Sequence, residues 1–159
     1  MALTHSARDT ADRPLDGMAL ALDAARAAGT AGEVPVGAVI LMNGALIARG
    51  ENRMRRDTDP TAHAEIVAIR TACRELGTER LIGAHLYVTL EPCTMCAGAI
   101  VAARLERVYY GASDPKGGGV EQGSRVFNQP TSNHRPDVYP GLRETECAGL
   151  LRAFFHARR

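Results

Sequence analysis

His85-Leu86-Tyr87-Val88-Thr89-Leu90, then Glu91-Pro92-Cys93-Thr94-Met95-Cys96-Ala97-Gly98-Ala99-Ile100-Val101-Ala102-Ala103, then Arg107-Val108-Tyr109-Tyr110-Gly111, is the stretch that decides the fold. Its first six residues alternate and are rich in strand formers, which predicts a β-strand. Cys93 to Ala103 reads as a short helix of small residues, and Arg107 to Gly111 as a second strand. Upstream, Pro35 to Met42 is apolar and β-branched, Asn43-Gly44 is the pair that a two-residue type I′ turn prefers, and Ala45 to Arg49 returns as a hairpin. Two amphipathic helices flank that hairpin. One begins at Pro14, carries Leu15, Met18, Ala19 and Leu22, and ends near Gly29; the other starts around His63, carries Ile66, Ile69, Cys73 and Leu76, and has Gly77 as its cap. Glu51 to Ala62 is read as an exposed loop between them.

Downstream, Ala112 to His134 is rich in Gly, Ser, Asn and Pro and predicts a long functional loop. Asp137 to Tyr139 suits a short edge strand. Cys147, Leu150, Leu151, Phe154 and Phe155 define a last amphipathic helix. Strands alternating with helices argue an α/β chain, a three-layer α/β/α domain with a mixed central sheet, because crossovers carry helices onto both sheet faces. The expected organisation is a flexible N-terminus over 1–13 and one domain over 14–159.

Length and composition set outer bounds. The 159 residues fit one domain, and 45% apolar with 23% charged residues is ordinary for a globular chain. No apolar run approaches a bilayer span, and no secretory pattern opens the chain, so a cytoplasmic location without membrane attachment is expected. The net charge of +1 excludes nucleic-acid binding through bulk charge; such a partner must be met by local groups. Four cysteines in an uneven pattern, with Cys93 and Cys96 paired as Cys-x-x-Cys, favour metal or redox chemistry over a disulfide framework. Cys73 and Cys147 fall on helix stripes and are expected to pack in the core.

His63-Ala64-Glu65 and Pro92-Cys93-Thr94-Met95-Cys96 stand at the starts of two predicted helices. One imidazole and two thiols are the ligand set of a catalytic zinc site, which keeps an open position for water. Cysteines three apart in a first helical turn face one side, and the positive helix end favours their thiolates. Glu65 beside the metal is placed to take a proton from water and pass it on. A redox pair would leave His63-Ala64-Glu65 unexplained, and a structural zinc site would need a fourth ligand from His85, His134 or Cys147, none of which has a visible partner.

His-x-Glu followed by Pro-Cys-x-x-Cys is the recognised signature of zinc-dependent nucleobase deaminases. With Glu33-Val34-Pro35-Val36-Gly37-Ala38-Val39, Glu51-Asn52-Arg53, Asp59-Pro60-Thr61-Ala62, Asn133-His134-Arg135, Phe154-Phe155 and Arg158-Arg159, the chain from about Leu15 to Arg159 resembles the cytidine and deoxycytidylate deaminase superfamily. Within it, the likeness is nearest to the bacterial tRNA-specific adenosine deaminases. The resemblance implies a cytidine-deaminase-like fold and one Zn²⁺ per subunit on His63, Cys93 and Cys96, with Glu65 as proton shuttle. It also implies a homodimer acting on an arginine tRNA anticodon loop, where adenosine becomes inosine at the wobble position. By the same resemblance Asn52 bonds the flipped nucleoside, Val34 and Pro35 line the base pocket, the backbone at Ala64 reads the base edge, and Asp114 lies near the ribose 2′-hydroxyl.

Arg53, Arg55, Arg56, Phe155, Arg158 and Arg159 are candidates for an RNA-contacting rim. Each substrate residue also has an ordinary reading: Asn52 and Asp114-Pro115 are turn formers, and the terminal arginines suit a helix C-terminus without RNA. Glu51 and the Gly117 to Gly123 segment depart from the pattern of the tRNA enzymes at places where substrate is chosen. Two other functions therefore stand beside the first, a deaminase of a free base or nucleoside such as guanine or cytosine, and a zinc-stabilised RNA-binding subunit without turnover.

Overall fold

The structure, a computed structural model, describes residues 13–159. The expected flexible terminus over 1–13 lies, except for Arg13, outside the described residues. Five strands form one sheet in the order β2-β1-β3-β4-β5, where β1 is Gly37–Met42, β2 Ala45–Glu51, β3 His85–Leu90, β4 Arg107–Ala112 and β5 Asp137–Tyr139. β1 runs antiparallel to both β2 and β3, whereas β3, β4 and β5 are parallel, so the sheet is mixed, as expected. Asn43 and Gly44 both take positive φ, 51° and 76°, the conformation of the type I′ turn that closes the hairpin.

Helices α1 (Gly17–Thr30) and α4 (Glu144–Ala157) cover one face, and α2 (Ala64–Leu76) and α3 (Thr94–Ala103) the other. Successive strand residues point to opposite faces, so Ala38, Ile40, Leu86 and Val88 enter the core under α2 and α3, while Val39 and Tyr87 meet Met18, Leu22 and Cys147. This is the three-layer α/β/α architecture. Two stripes differ from the sequence reading. Leu15 precedes α1 and is exposed, because Asp16 caps that helix by accepting from the Ala19 amide at 3.0 Å; the buried stripe is Met18, Ala21, Leu22 and Ala25. In α2 the face against the sheet is Ala64, Ala68 and Ala72, with Cys73 only half-buried and Leu76 exposed. The cause is close approach, since a Cβ on Gly50 of β2 would lie 2.2 Å from the Ala64 carbonyl oxygen. Only small side chains fit between such surfaces. Of the α4 stripe only Cys147 is fully buried, and Phe155 is half exposed.

The topology gathers the functional ends at one edge. β2, β3 and β4 run in the same direction, so Asn52, Glu91 and Ser113 all leave the sheet there, beside the residues that lead into β1. Ligands bind outside the carboxyl ends of strands in open α/β sheets for this reason. The predicted loop from Ala112 to His134 contains one turn of 3₁₀ helix, Val126–Asn128.

Candidate active site

His63 and Cys93 are the N-caps of α2 and α3, one residue ahead of the first helical residues Ala64 and Thr94. Neither spends its side chain on capping its own helix, so both turn toward the space between the helix starts. His63 Nδ1 lies 3.6 Å from Cys93 Sγ and 3.5 Å from Cys96 Sγ. Bonds of about 2.3 Å to sulfur and about 2.0 Å to nitrogen around a tetrahedral zinc put such donors roughly 3.5 Å apart. The three ligand atoms all lie within 4.8 Å of one another, and so have the chemistry and the spacing to hold that ion. Both helices also present the positive ends of their dipoles to the site, which favours anionic ligands.

The charge is unevenly shared. Cys93 is the thiolate of the pair, its pKa pulled down to about 4 by a hydrogen bond from Cys96 and by His63, against the opposing effect of burial. Cys96 moves the other way, raised by that same bond to Cys93 and by its burial. The bond to Cys93 raises the pKa of His63. Glu65, in the first turn of α2 and only 4% exposed, is held above the ordinary carboxyl range by burial, with Cys96 and His63 opposing the rise. A buried carboxyl whose affinity for a proton is raised in this way suits proton transfer.

A cavity of about 310 Å³ opens onto these groups. Val34, Asn52, Ala64 and Asp114 line it together with His63, Glu65 and Cys93, so most of the residues singled out from sequence meet in one place. Pro35 is buried and is not among the lining residues; Val36 lines the cavity instead, since residues alternate in direction on entering β1. Asn52 Oδ1 is buried with no hydrogen-bond partner among the described residues. An orphaned buried acceptor beside a cavity is unfavourable unless a ligand supplies the donor. Met54 and Leu90 add apolar wall that the sequence reading did not assign.

Two buried acids hold the walls, and neither was singled out for a role by the sequence reading. The Glu33 carboxylate, 1% exposed, accepts from the Arg55 amide at 3.0 Å and the Arg56 amide at 2.8 Å, which ties down the segment after Asn52. Glu91, 2% exposed, accepts from the amides of Asp114, Val120, Glu121 and Gln122 on the opposite wall. Burial alone would raise its pKa, but those four amides together hold the carboxyl below its usual range. The available signal was a charged residue set among apolar ones, at Glu33-Val34-Pro35-Val36 and Leu90-Glu91-Pro92. Glu51, one of the departures noted above, turns to Arg56 at 3.1 Å and does not line the cavity.

Beside the cavity lies an open groove of about 1130 Å³ between the Ser113 to Lys116 segment and the end of α4. Arg152, Arg158, Arg159 and Phe155 line it, joined by Lys116 and His156, to which the sequence reading gave no role. The rim on the other side is partly neutralised: Arg53 pairs with Asp57 at 3.0 Å, and Arg56 with Glu51 and Glu33. Arg55 is exposed. No helix among the described residues is long and apolar enough to cross a membrane.

Residues 13–112 match the family described as the cytidine and deoxycytidylate deaminase zinc-binding region. The chain is 62% identical over 142 residues to the tRNA-specific adenosine deaminase of Agrobacterium fabrum, covering 89% of this chain and 93% of that one. A structure solved in studies of A-to-I editing by tRNA:A34 deaminases at the wobble position superposes with a TM-score of 0.84 at 62% identity, over 85% of this chain and 98% of the other. A guanine deaminase from Bacillus subtilis is more distant, with a TM-score of 0.62 and 35% identity over 88% of this chain and 92% of the other.

Proposed function

Since the chain belongs to the cytidine and deoxycytidylate deaminase family, we infer that it is a zinc-dependent hydrolase converting adenosine to inosine at the wobble position of a tRNA, that of an arginine tRNA in particular. The observation that carries this reading is the meeting of His63, Cys93 and Cys96 with the buried carboxyl of Glu65 at the floor of one cavity.

His63, Cys93 and Cys96 would hold one Zn²⁺ per subunit. When bound, the ion supplies Lewis acidity that lowers the pKa of water toward neutrality. The net reaction consumes one water, leaves its oxygen on C6 and releases the amine as ammonia. Glu65 takes one proton from the water and delivers it to the ring nitrogen, which keeps it in inosine, and then carries the second water proton to the departing amine, so the carboxylate ends as it began. Asn52 offers its unpartnered Oδ1 to a donor on the flipped nucleoside, Val34 and Val36 enclose the base, and Asp114 faces the same cavity from the opposite wall. The groove lined by Arg152, Arg158, Arg159 and Lys116 supports phosphate contacts that a net charge of +1 would not suggest, and Phe155 offers a face for stacking.

The domain over 14–159 acts as one unit, as a homodimer, in the cytoplasm where tRNA is processed. The likeness to a guanine deaminase keeps a free base as the second reading. A zinc-stabilised binding subunit without turnover is disfavoured because Glu65 lines the cavity beside the ligand set. The deciding experiment follows inosine formation by the zinc-loaded protein on an arginine tRNA anticodon stem-loop, beside ammonia release from guanine, cytosine and free adenosine. Inosine in RNA alone is the expected result; ammonia from a free base without an RNA product would retain the chemistry and overturn the substrate.

A further inference from the structure

The Ser113 to Gln122 segment carries Asp114 and Gly117 into the cavity wall, yet it contains no helix or strand to fix its shape. Its internal order is built around one side chain. Glu91 Oε1 accepts from the Asp114 amide at 3.1 Å and the Ser113 hydroxyl at 3.3 Å, at the start of the segment. Oε2 accepts from the amides of Val120, Glu121 and Gln122 at 3.2, 3.0 and 3.0 Å, at its end. Three successive N–H groups converging on one oxygen form an anion nest, here filled by the protein's own carboxylate. Gly118 lies where a Cβ would sit 2.6 Å from Glu91 Cδ, so the backbone wraps directly against the acid. The wrapped segment then bonds back to the helix start that bears the thiols, through the Gly119 amide to the Pro92 carbonyl at 2.8 Å.

We propose that Glu91 is a positioning residue for substrate: by bridging both ends of the Ser113 to Gln122 segment, it sets the wall that carries Asp114, and so governs substrate affinity while leaving the proton chemistry at Glu65 alone. This rests on the deaminase reading above. Asp114 is itself constrained, since its Oδ1 accepts from the amides of Lys116 and Gly117 at 3.2 and 3.0 Å. Its remaining oxygen is aimed by the same wrapped backbone, and a loosened tether would let that oxygen wander from a bound nucleoside.

The test is Glu91→Gln in the full, zinc-loaded chain. The amide keeps its oxygen toward the three-donor end, so its NH₂ meets the Asp114 amide, which loses its acceptor. Zinc content should stay at the wild-type level, kcat within about threefold, and KM should rise about tenfold, the loss of roughly one charge-assisted hydrogen bond. Amide hydrogen exchange should accelerate over 113–122 and stay unchanged in β3 and α2. A fall in kcat with KM unchanged, loss of zinc, or unchanged kinetics and exchange would each overturn the proposal. Where Glu91→Gln fails to fold, Ser113→Ala removes one donor from an exposed residue; because that bond is long, at 3.3 Å, and only partly buried, a rise in KM of about twofold to threefold is expected, and an unchanged KM overturns it. The kinetics are read on whichever substrate wild type turns over, and hydrogen exchange needs none, so an error about RNA would not be mistaken for an error about Glu91.

Discussion

The floor of the cavity and its walls are built on different principles. The floor is made of helix starts: His63, Cys93 and Cys96 sit at or within three residues of an N-cap, and α2 and α3 are fixed by alanine-rich contacts with the sheet. The walls are loops without regular hydrogen-bond ladders, each wrapped on a buried glutamate, Glu33 on one side and Glu91 on the other. Regular elements hold the groups proposed to bind the metal and move the proton, where small displacements are costly. The order of the walls depends on one acid and a set of backbone amides, which do not depend on the side chains of the residues that carry them. The glycine-rich Gly117 to Gly119 run belongs to one wall, Glu51 stands outside the cavity paired with Arg56, and the ligand set is untouched by either.

The sharpest way to break the floor is to remove its metal. Cys93→Ala should abolish deamination and reduce zinc from one per chain to background, read by metal analysis. Stripping the wild-type protein with a chelator should likewise leave Cys93, its pKa near 4, as the thiol that iodoacetamide labels at neutral pH. Cys147, buried and pushed up to about 11, should stay unlabelled; labelling of Cys147 before Cys93 would contradict the assignment of the thiolate. Glu65→Ala comes next. It should lower kcat by about a hundredfold to ten-thousandfold, the contribution typical of a proton-transfer group, while zinc and the melting curve stay in place. Equal zinc loss in both variants would make Glu65 a ligand and dissolve the distinction between holding and reacting.

The walls should respond more mildly. Asn52→Ala removes the orphaned Oδ1 and should raise KM about tenfold with a smaller change in kcat, measured by initial rates over substrate concentration. The weakest effect belongs to the groove. Arg158→Ala should leave turnover of a minimal stem-loop near wild type and reduce the salt dependence of RNA binding by about one counterion, read as the slope of log affinity against log salt. A slope that does not change would remove Arg158 from the phosphate path and leave it with its contact over the Phe154 ring at 3.4 Å.

Sequence alone determined the order of elements, the type I′ hairpin turn and the identity of the zinc set, because each depends on residues a few positions apart: an Asn-Gly pair, a Cys-x-x-Cys at a helix start, an apolar period of two or nearly four. It misplaced the packing stripes of α1 and α2 by small steps, since which residue of an apolar run is buried depends on the partner surface, here Gly50 beneath Ala64. It assigned Pro35 to the cavity where Val36 stands, and gave no role to Glu33 or Glu91. Those were decided only by the tertiary structure. Glu91 meets the amides of Val120, Glu121 and Gln122 across 29 to 31 residues of chain, and Glu33 meets Arg55 and Arg56 across 22 and 23. A buried carboxylate is tolerable only with its donors in place, and backbone amides leave no mark in the residue types that carry them.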